Sequence, residues 1–252
     1  MLLHYDHWLS SFHVIGNDEE FGTVHDVYFD EDHWTVRYLV VKAGTWFTGE
    51  KLFLSPASIT NIDMKEEKIY VNISKEQAKD APQINEQPVT RKSEREFSLY
   101  YSLGPYWLGS SLWGNAIAAR ELAKYEPEPV QIDDVVSKED YRPYVHRAEE
   151  IIGYELSARG DSFGKIEDLL IEEDSYKIRY FVCDTKKILP GKKILISTDW
   201  ITNIDWTSKQ IHINVEREEV ENAPEYLKEP PLTRDMEEEL FMHYGKKGYW
   251  KS

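Results

Sequence analysis

A mainly β fold, made of two small antiparallel β-barrels each followed by short helices, is predicted by three features of the sequence. The pentapeptide Ile-Thr-Asn-Ile-Asp occurs at Ile59–Asp63 and again at Ile201–Asp205, within a stretch beginning at Phe21 that aligns without a gap to one beginning at Phe163. About a third of the aligned positions are identical, a level that duplication of a whole domain explains. Both copies break into short runs of β-branched and aromatic residues separated by charged or glycine-containing turns, the pattern of closely spaced strands. Each set of strands is then followed by helix-start signals.

In the first copy the strands are expected at Thr23 to Phe29, Thr35 to Lys42, Lys51 to Ser55, Ser58 to Ile62 and Lys68 to Ile73. The acidic turn Asp30-Glu31-Asp32 joins the first two. Five or six short strands at this spacing suggest a closed or nearly closed barrel. The repeated pentapeptide falls at the end of one strand and the turn into the next, where the side chains of Asn61 and Asp63 can bond to nearby backbone amides. Ser74-Lys75-Glu76-Gln77 is a capping-box pattern whose helix ends near Pro82, as its counterpart ends near Pro224. A second helix is predicted after Thr90 and again after Thr233. Phe97, Tyr100 and Tyr101 share one face of it, as do Leu240 and Tyr244 in the other copy. An aromatic tail, Tyr106-Trp107 and Tyr249-Trp250, closes each copy. Ser111 to Lys124 occurs once and could form an amphipathic helix, and the proline-containing YEPEPVQIDD reads as an extended linker. The predicted organisation is a first repeat at 1–107, a linker with a helix at 108–144 and a second repeat at 145–252. Phe21-Gly22 and Phe163-Gly164 recur where the first long strand starts; each Phe is expected in a core and each Gly at a close backbone approach or at φ > 0.

Composition narrows the function. The chain of 252 residues has room for two domains and is 41% hydrophobic and 13% aromatic, as folded proteins are. No run reaches 18 apolar residues and the start has no signal-peptide pattern, so a cytoplasmic protein without membrane insertion is expected. A formal net charge of −16 repels nucleic-acid phosphates and anionic lipid, while a basic protein partner suits it. The one cysteine, Cys183, lies in the apolar run IRYFVCDT and is expected to be a buried, unreactive side chain.

The second copy resembles the PRC-barrel domain in Ile152-Gly153-Tyr154, Phe163-Gly164-Lys165-Ile166-Glu167-Asp168, Ile178-Arg179-Tyr180, Leu189-Pro190-Gly191-Lys192-Lys193, Ala223-Pro224-Glu225-Tyr226 and His243-Tyr244. The first copy keeps Ile15-Gly16 but shortens the next turn and has Phe47-Thr48-Gly49-Glu50-Lys51 in place of Leu-Pro-Gly-Lys-Lys. The chain resembles stand-alone bacterial proteins with two such domains. Related domains occur in the photosynthetic reaction centre H subunit and at the C-terminus of the bacterial ribosome maturation factor. The resemblance implies β-barrels, a bacterial or archaeal source, and work as an assembly or interaction module rather than an enzyme.

Sites of chemistry are few. His4, His7 and His13 crowd the start, but two imidazoles need further ligands on a fixed scaffold to hold a transition metal. The acidic turns at Asp30 and at Glu172-Glu173-Asp174 lack EF-hand spacing and read as solvated hairpin tips. No Gly-rich phosphate loop, nucleophile elbow or zinc-protease motif is present in the sequence. Arg37 and Arg179 recur beside Asp26 and Asp168, which suggests a cross-strand ion pair, with an anion site as the alternative. No catalytic residue, cofactor or metal is therefore expected. The expected function is non-enzymatic protein interaction or assembly, the chain being either a monomer with an internal pseudo-dimer or a homodimer. A small-ligand or metal-binding, stress-linked role with a site between the barrels is the alternative. Tyr106, Trp107, Tyr249 and Trp250 are the candidate interaction surface, docking between the halves or sealing their own barrels.

Overall fold

The computed structural model describes residues 1–6, 12–17, 19–47, 51–82, 84, 89–124, 144–185 and 191–251. The strands of the first copy are β1 (Leu2–His4), β2 (His13–Ile15), β3 (Glu20–Asp30), β4 (Thr35–Ala43), β5 (Leu52–Leu54), β6 (Ile59–Asp63) and β7 (Lys68–Val71). Helices α1 (Lys75–Asp80) and α2 (Arg91–Tyr100) follow. The second copy opens with β8 (Val145–Arg147) and α3 (Ala148–Ile151), and continues through β9 (Glu155–Ala158), β10 (Asp161–Glu172), β11 (Ile178–Asp184) and β12 (Lys193–Ser197). It ends with β13 (Ile201–Asp205), β14 (Gln210–Ile213), α4 (Arg217–Glu221) and α5 (Arg234–His243).

Two seven-stranded sheets result, with the strand orders β5-β4-β3-β2-β7-β6 and β12-β11-β10-β9-β14-β13. In the first, the end strands β5 and β6 are consecutive in the chain and joined by a three-residue 3-10 turn, Pro56–Ser58, which curls the sheet toward a barrel. The pairing is antiparallel except for one parallel pair in each sheet, β2 with β7 and β9 with β14.

The seventh strand of each sheet comes from the other repeat. β1 pairs with β10, setting Leu2, Leu3 and His4 opposite Glu172, Ile171 and Leu170. β8 pairs with β3, setting Val145, His146 and Arg147 opposite Asp30, Phe29 and Tyr28. The compact units follow this exchange. One comprises Met1–Tyr5, Glu150–Glu172 and Ile178–Ser252, and the other Asp6–Glu149 and Glu173–Lys177. The cause lies in the length of β3 and β10. The first part of each pairs with β2 or β9, and the last part would expose unpaired backbone groups without a further strand.

The helices begin where their caps place them. Ser74 and Gln77 form the reciprocal capping box of α1, and Thr90 with Ser93 forms that of α2. Thr233 accepts from Met236 N at the start of α5. The pentapeptide is a strand in both copies, and its final residue organises the turn: Asp63 Oδ1 accepts from Lys65 N and Glu66 N at 3.0 Å, and Asp205 Oδ1 from Thr207 N and Ser208 N at 2.9 Å. From Ser111 to Lys124 the expected amphipathic helix is absent. Tight turns bridge Ser111 with Gly114 and Trp113 with Ala116, and a 3-10 helix covers Ala119–Lys124. Gly114, at φ +72°, and the wholly buried Trp113 account for this, since a left-handed residue and an inward-turned indole interrupt a regular helix. The linker stretch YEPEPVQIDD lies outside the described residues.

Phe21 and Phe163 are both buried, and the glycine after each lies against the neighbouring strand. A Cβ at Gly22, where φ is +147°, would lie 2.1 Å from Lys42 O; at Gly164 it would lie 2.5 Å from Cys183 Sγ and 2.6 Å from Asp184 O. Gly164→Val is therefore expected to destabilise the protein by about 1–3 kcal/mol through overpacking, measured by urea denaturation. An unchanged midpoint would show that β10 and β11 can separate without cost.

Candidate functional site: a duplicated buried polar cluster

Arg37 and Arg179 are bulge residues. In β4, Val36 and Tyr38 lie opposite Phe29 and Tyr28, so Arg37 has no partner across the ladder; Arg179 stands likewise between Ile178 and Tyr180 in β11. A bulge re-aims its extra side chain. Both arginines consequently pair at the hairpin end rather than with the expected aspartates. Arg37 Nε donates to Asp30 at 2.7 Å, and an Arg179 Nη donates to Glu172 at 2.7 Å. The expected Arg37–Asp26 and Arg179–Asp168 pairs are thus replaced. The acidic turn is not wholly solvated either: Asp30 is buried, and its carboxylate also accepts from His33 N. Burial alone would raise the Asp30 pKa, but Arg37 and His33 overcome it and hold the carboxyl below the usual range.

The ring of Tyr106 lies 3.9 Å from the Arg37 guanidinium, and the Trp113 ring 4.6 Å away. Tyr249 lies 3.8 Å from the guanidinium of Arg179. Stacking of this kind suits a weakly hydrated guanidinium. Among the described residues, Nη1 and Nη2 of Arg37 have no hydrogen-bond partner. Asp30, one methylene shorter than Glu172, reaches Nε of its arginine instead of a terminal nitrogen.

A glutamate from the second helix completes each cluster. Glu94, fully buried in α2, accepts from Tyr38 Oη at 3.1 Å, from Arg91 at 2.8 Å and from Tyr106 Oη. Glu237 in α5 accepts from Tyr180 Oη at 2.6 Å and Tyr249 Oη at 2.9 Å, with Arg234 at 3.0 Å. The tryptophans follow the same plan, Trp107 under Arg91 at 4.6 Å and Trp250 under Arg234 at 4.3 Å. The tail of each repeat therefore packs on the helix and arginine of its own unit. Tyr106 is 8% exposed, while Trp107, Tyr249 and Trp250 are half-buried.

Burial pushes the Glu94 carboxyl up, against the pull of Arg91 and the two phenols. Tyr38 and Tyr106 are raised well above the ordinary tyrosine value, first by burial and then by the facing Glu94. Burial and then Glu237 raise Tyr180 too, and Tyr249 is pushed up to about 12, mainly by burial.

A second pair of contacts secures the exchanged strands. Arg147 Nε in β8 donates to the fully buried Asp26 at 2.9 Å, and His4 Nδ1 in β1 lies 2.5 Å from Asp168 Oδ2. The two positions are equivalent in the two registers. His4 Nε2 also meets Tyr226 Oη at 2.8 Å, so both ring nitrogens are engaged. His13 pairs with Glu20 at 2.7 Å, and His7 lies outside the described residues. Cys183 is buried, and burial pushes its thiol up, as its apolar run implies. Of the loop residues singled out in the sequence, Thr48 to Glu50 and Leu189-Pro190 also lie outside the described residues.

The sequence matches the PRC-barrel domain family twice, over residues 3–78 and 145–220, more than half of the chain. Each match spans all or most of the copy's opening strand. No curated protein matches the chain. Among the described residues no helix is long and apolar enough to cross a membrane.

Two outcomes follow from the cluster. Tyr106→Phe removes a charge-assisted hydrogen bond and should lower stability by about 1–3 kcal/mol in urea denaturation. The tyrosines also set an alkaline limit. Their folded pKa values lie above the unfolded value of 10.0, so their contribution is complete below that pH and is lost as pH rises toward the folded values. Unfolding free energy should decline above about pH 10, and Tyr38→Phe should flatten the decline; a slope that the substitution leaves unchanged would remove these phenols as its cause.

Proposed function

The chain belongs to the PRC-barrel family, and from that premise we propose that it is a non-enzymatic, cytoplasmic protein-interaction or assembly module with a basic protein partner. The observation that carries the reading is the use of the buried polar groups. Glu94, Glu237 and the phenols around them hold each aromatic tail on its barrel, so the chemistry-bearing side chains of both copies act as internal fastenings. The net charge of −16 favours a partner of opposite sign and faster encounter with it. Trp107, Tyr249 and Trp250, half-buried on Arg91, Arg179 and Arg234, supply flat amphipathic faces next to that charge, and Tyr106 serves them from beneath.

Capture with the full chain as bait tests the reading. A basic protein should be retained at low salt and lost as ionic strength shortens the reach of the charges. Recovery of the same proteins with an unrelated acidic control of equal charge would sink the proposal.

A further inference from the structure

We propose that the edge of β10 at Leu170–Glu172 is a strand-acceptor site that takes, in place of β1, an extended basic segment of a partner protein. The segment would carry an aliphatic residue and, two positions later, an arginine. This rests on the interaction reading and names the partner chemistry of one site.

Equivalent edges in the two units are filled by different sequences. β1 supplies Leu2-Leu3-His4 to β10, and β8 supplies Val145-His146-Arg147 to β3. Backbone pairing is common to both, as is an aliphatic side chain followed two residues on by a nitrogen base, which alternation places on one face. Both bases meet an aspartate: Asp26 is 0% and Asp168 5% exposed, and each also accepts from the backbone N–H of the next residue. The edge thus reads main chain plus one nitrogen base at a fixed position, as in recognition by strand addition, where side-chain pockets add specificity to a shared ladder.

The two occupants are not equally suited. Arg147 brings a permanent charge and a rigid fork to Asp26, and Val145 joins the apolar cluster of Tyr28, Tyr38, Val40 and Phe53. β1 is as short as β8, but it has Leu2 only half-buried at the corresponding position and offers Asp168 an imidazole. An arginine-bearing strand would satisfy Asp168 as Arg147 satisfies Asp26. A chain of net charge −16 also concentrates basic segments near it.

The test uses the full chain and a fluorescent peptide of residues 144–149, Tyr-Val-His-Arg-Ala-Glu. The His4→Ala variant, whose own strand is weakened as competitor, should bind the peptide about tenfold more tightly than the natural chain in anisotropy titrations. The same peptide carrying Arg147→Gln should lose that gain. In hydrogen exchange on the natural chain, saturating peptide should speed exchange at Leu3 while Leu170 and Ile171 stay protected. Equal binding of the Arg and Gln peptides, or an unchanged Leu3 at saturation, would overturn the proposal; if His4→Ala fails to fold, the exchange result on the natural chain decides alone. Partners captured by the full chain without any such exchange would leave the interaction reading standing and remove this site.

Discussion

A carboxylate taken out of water must be met by donors from the groups around it, and Glu94 and Glu237 place that demand on three parts of each repeat at once. The barrel answers with Tyr38 or Tyr180, the helix with Arg91 or Arg234, and the tail with Tyr106 or Tyr249. Separating any one of them leaves a buried carboxyl group short of a donor, which costs more than an ordinary hydrogen bond contributes. An aromatic tail beyond the last strand is therefore held in place by a polar group it helps to bury. The same requirement explains why the tail was duplicated with the barrel: without it, the glutamate of the second helix would lack one of its donors.

The arginines beneath the tail rings extend the logic. A bulge turns Arg37 and Arg179 out of the ladder, and the rings of Tyr106 and Tyr249 cover their guanidinium faces. Each tyrosine then works twice, by its ring on an arginine and by its hydroxyl on a glutamate. Differences between the copies show how finely this geometry depends on length. Exchanging Glu172 for the shorter Asp30 moves the ion pair from a terminal guanidinium nitrogen to Nε and leaves the terminal nitrogens to the rings of Tyr106 and Trp113.

What could be read from the sequence was governed by range. Strands β3, β4, β6 and β7 and helices α1, α2 and α5 fall close to where alternation and caps put them, because Ser74 with Gln77 and Thr90 with Ser93 act within one turn. Asp63 and Asp205 likewise close turns three residues long. The ion-pair partners were not legible, since a one-residue bulge changes which carboxylate an arginine meets without altering the residue pattern. Ser111 to Lys124 misled for a related reason: a buried Trp113 and a left-handed Gly114 override its helical spacing. The clusters left one visible trace, the spacing from Arg91 through Glu94 to Tyr106, which recurs unchanged from Arg234 through Glu237 to Tyr249.

Strand exchange was beyond the reach of any local signal. Three residues such as Leu2-Leu3-His4 carry no periodicity, and nothing in them says which of two equivalent edges they will cover. Long β3 and β10 create the need, and the buried Asp26 and Asp168 supply the selection, since an edge strand without a base at the right place would leave a carboxylate unmatched. Each repeat thereby withholds from itself the strand that completes its sheet and gives it to the other. Domain swapping produces this arrangement between separate copies of one chain, and here a covalent link supplies the second copy. Because the fastening of one sheet lies in the sequence of the other repeat, weakening β1 is felt in the unit that holds β10, and weakening β8 in the unit that holds β3. The identity that the two copies retain in their barrels is thus accompanied by a dependence that neither copy could satisfy alone.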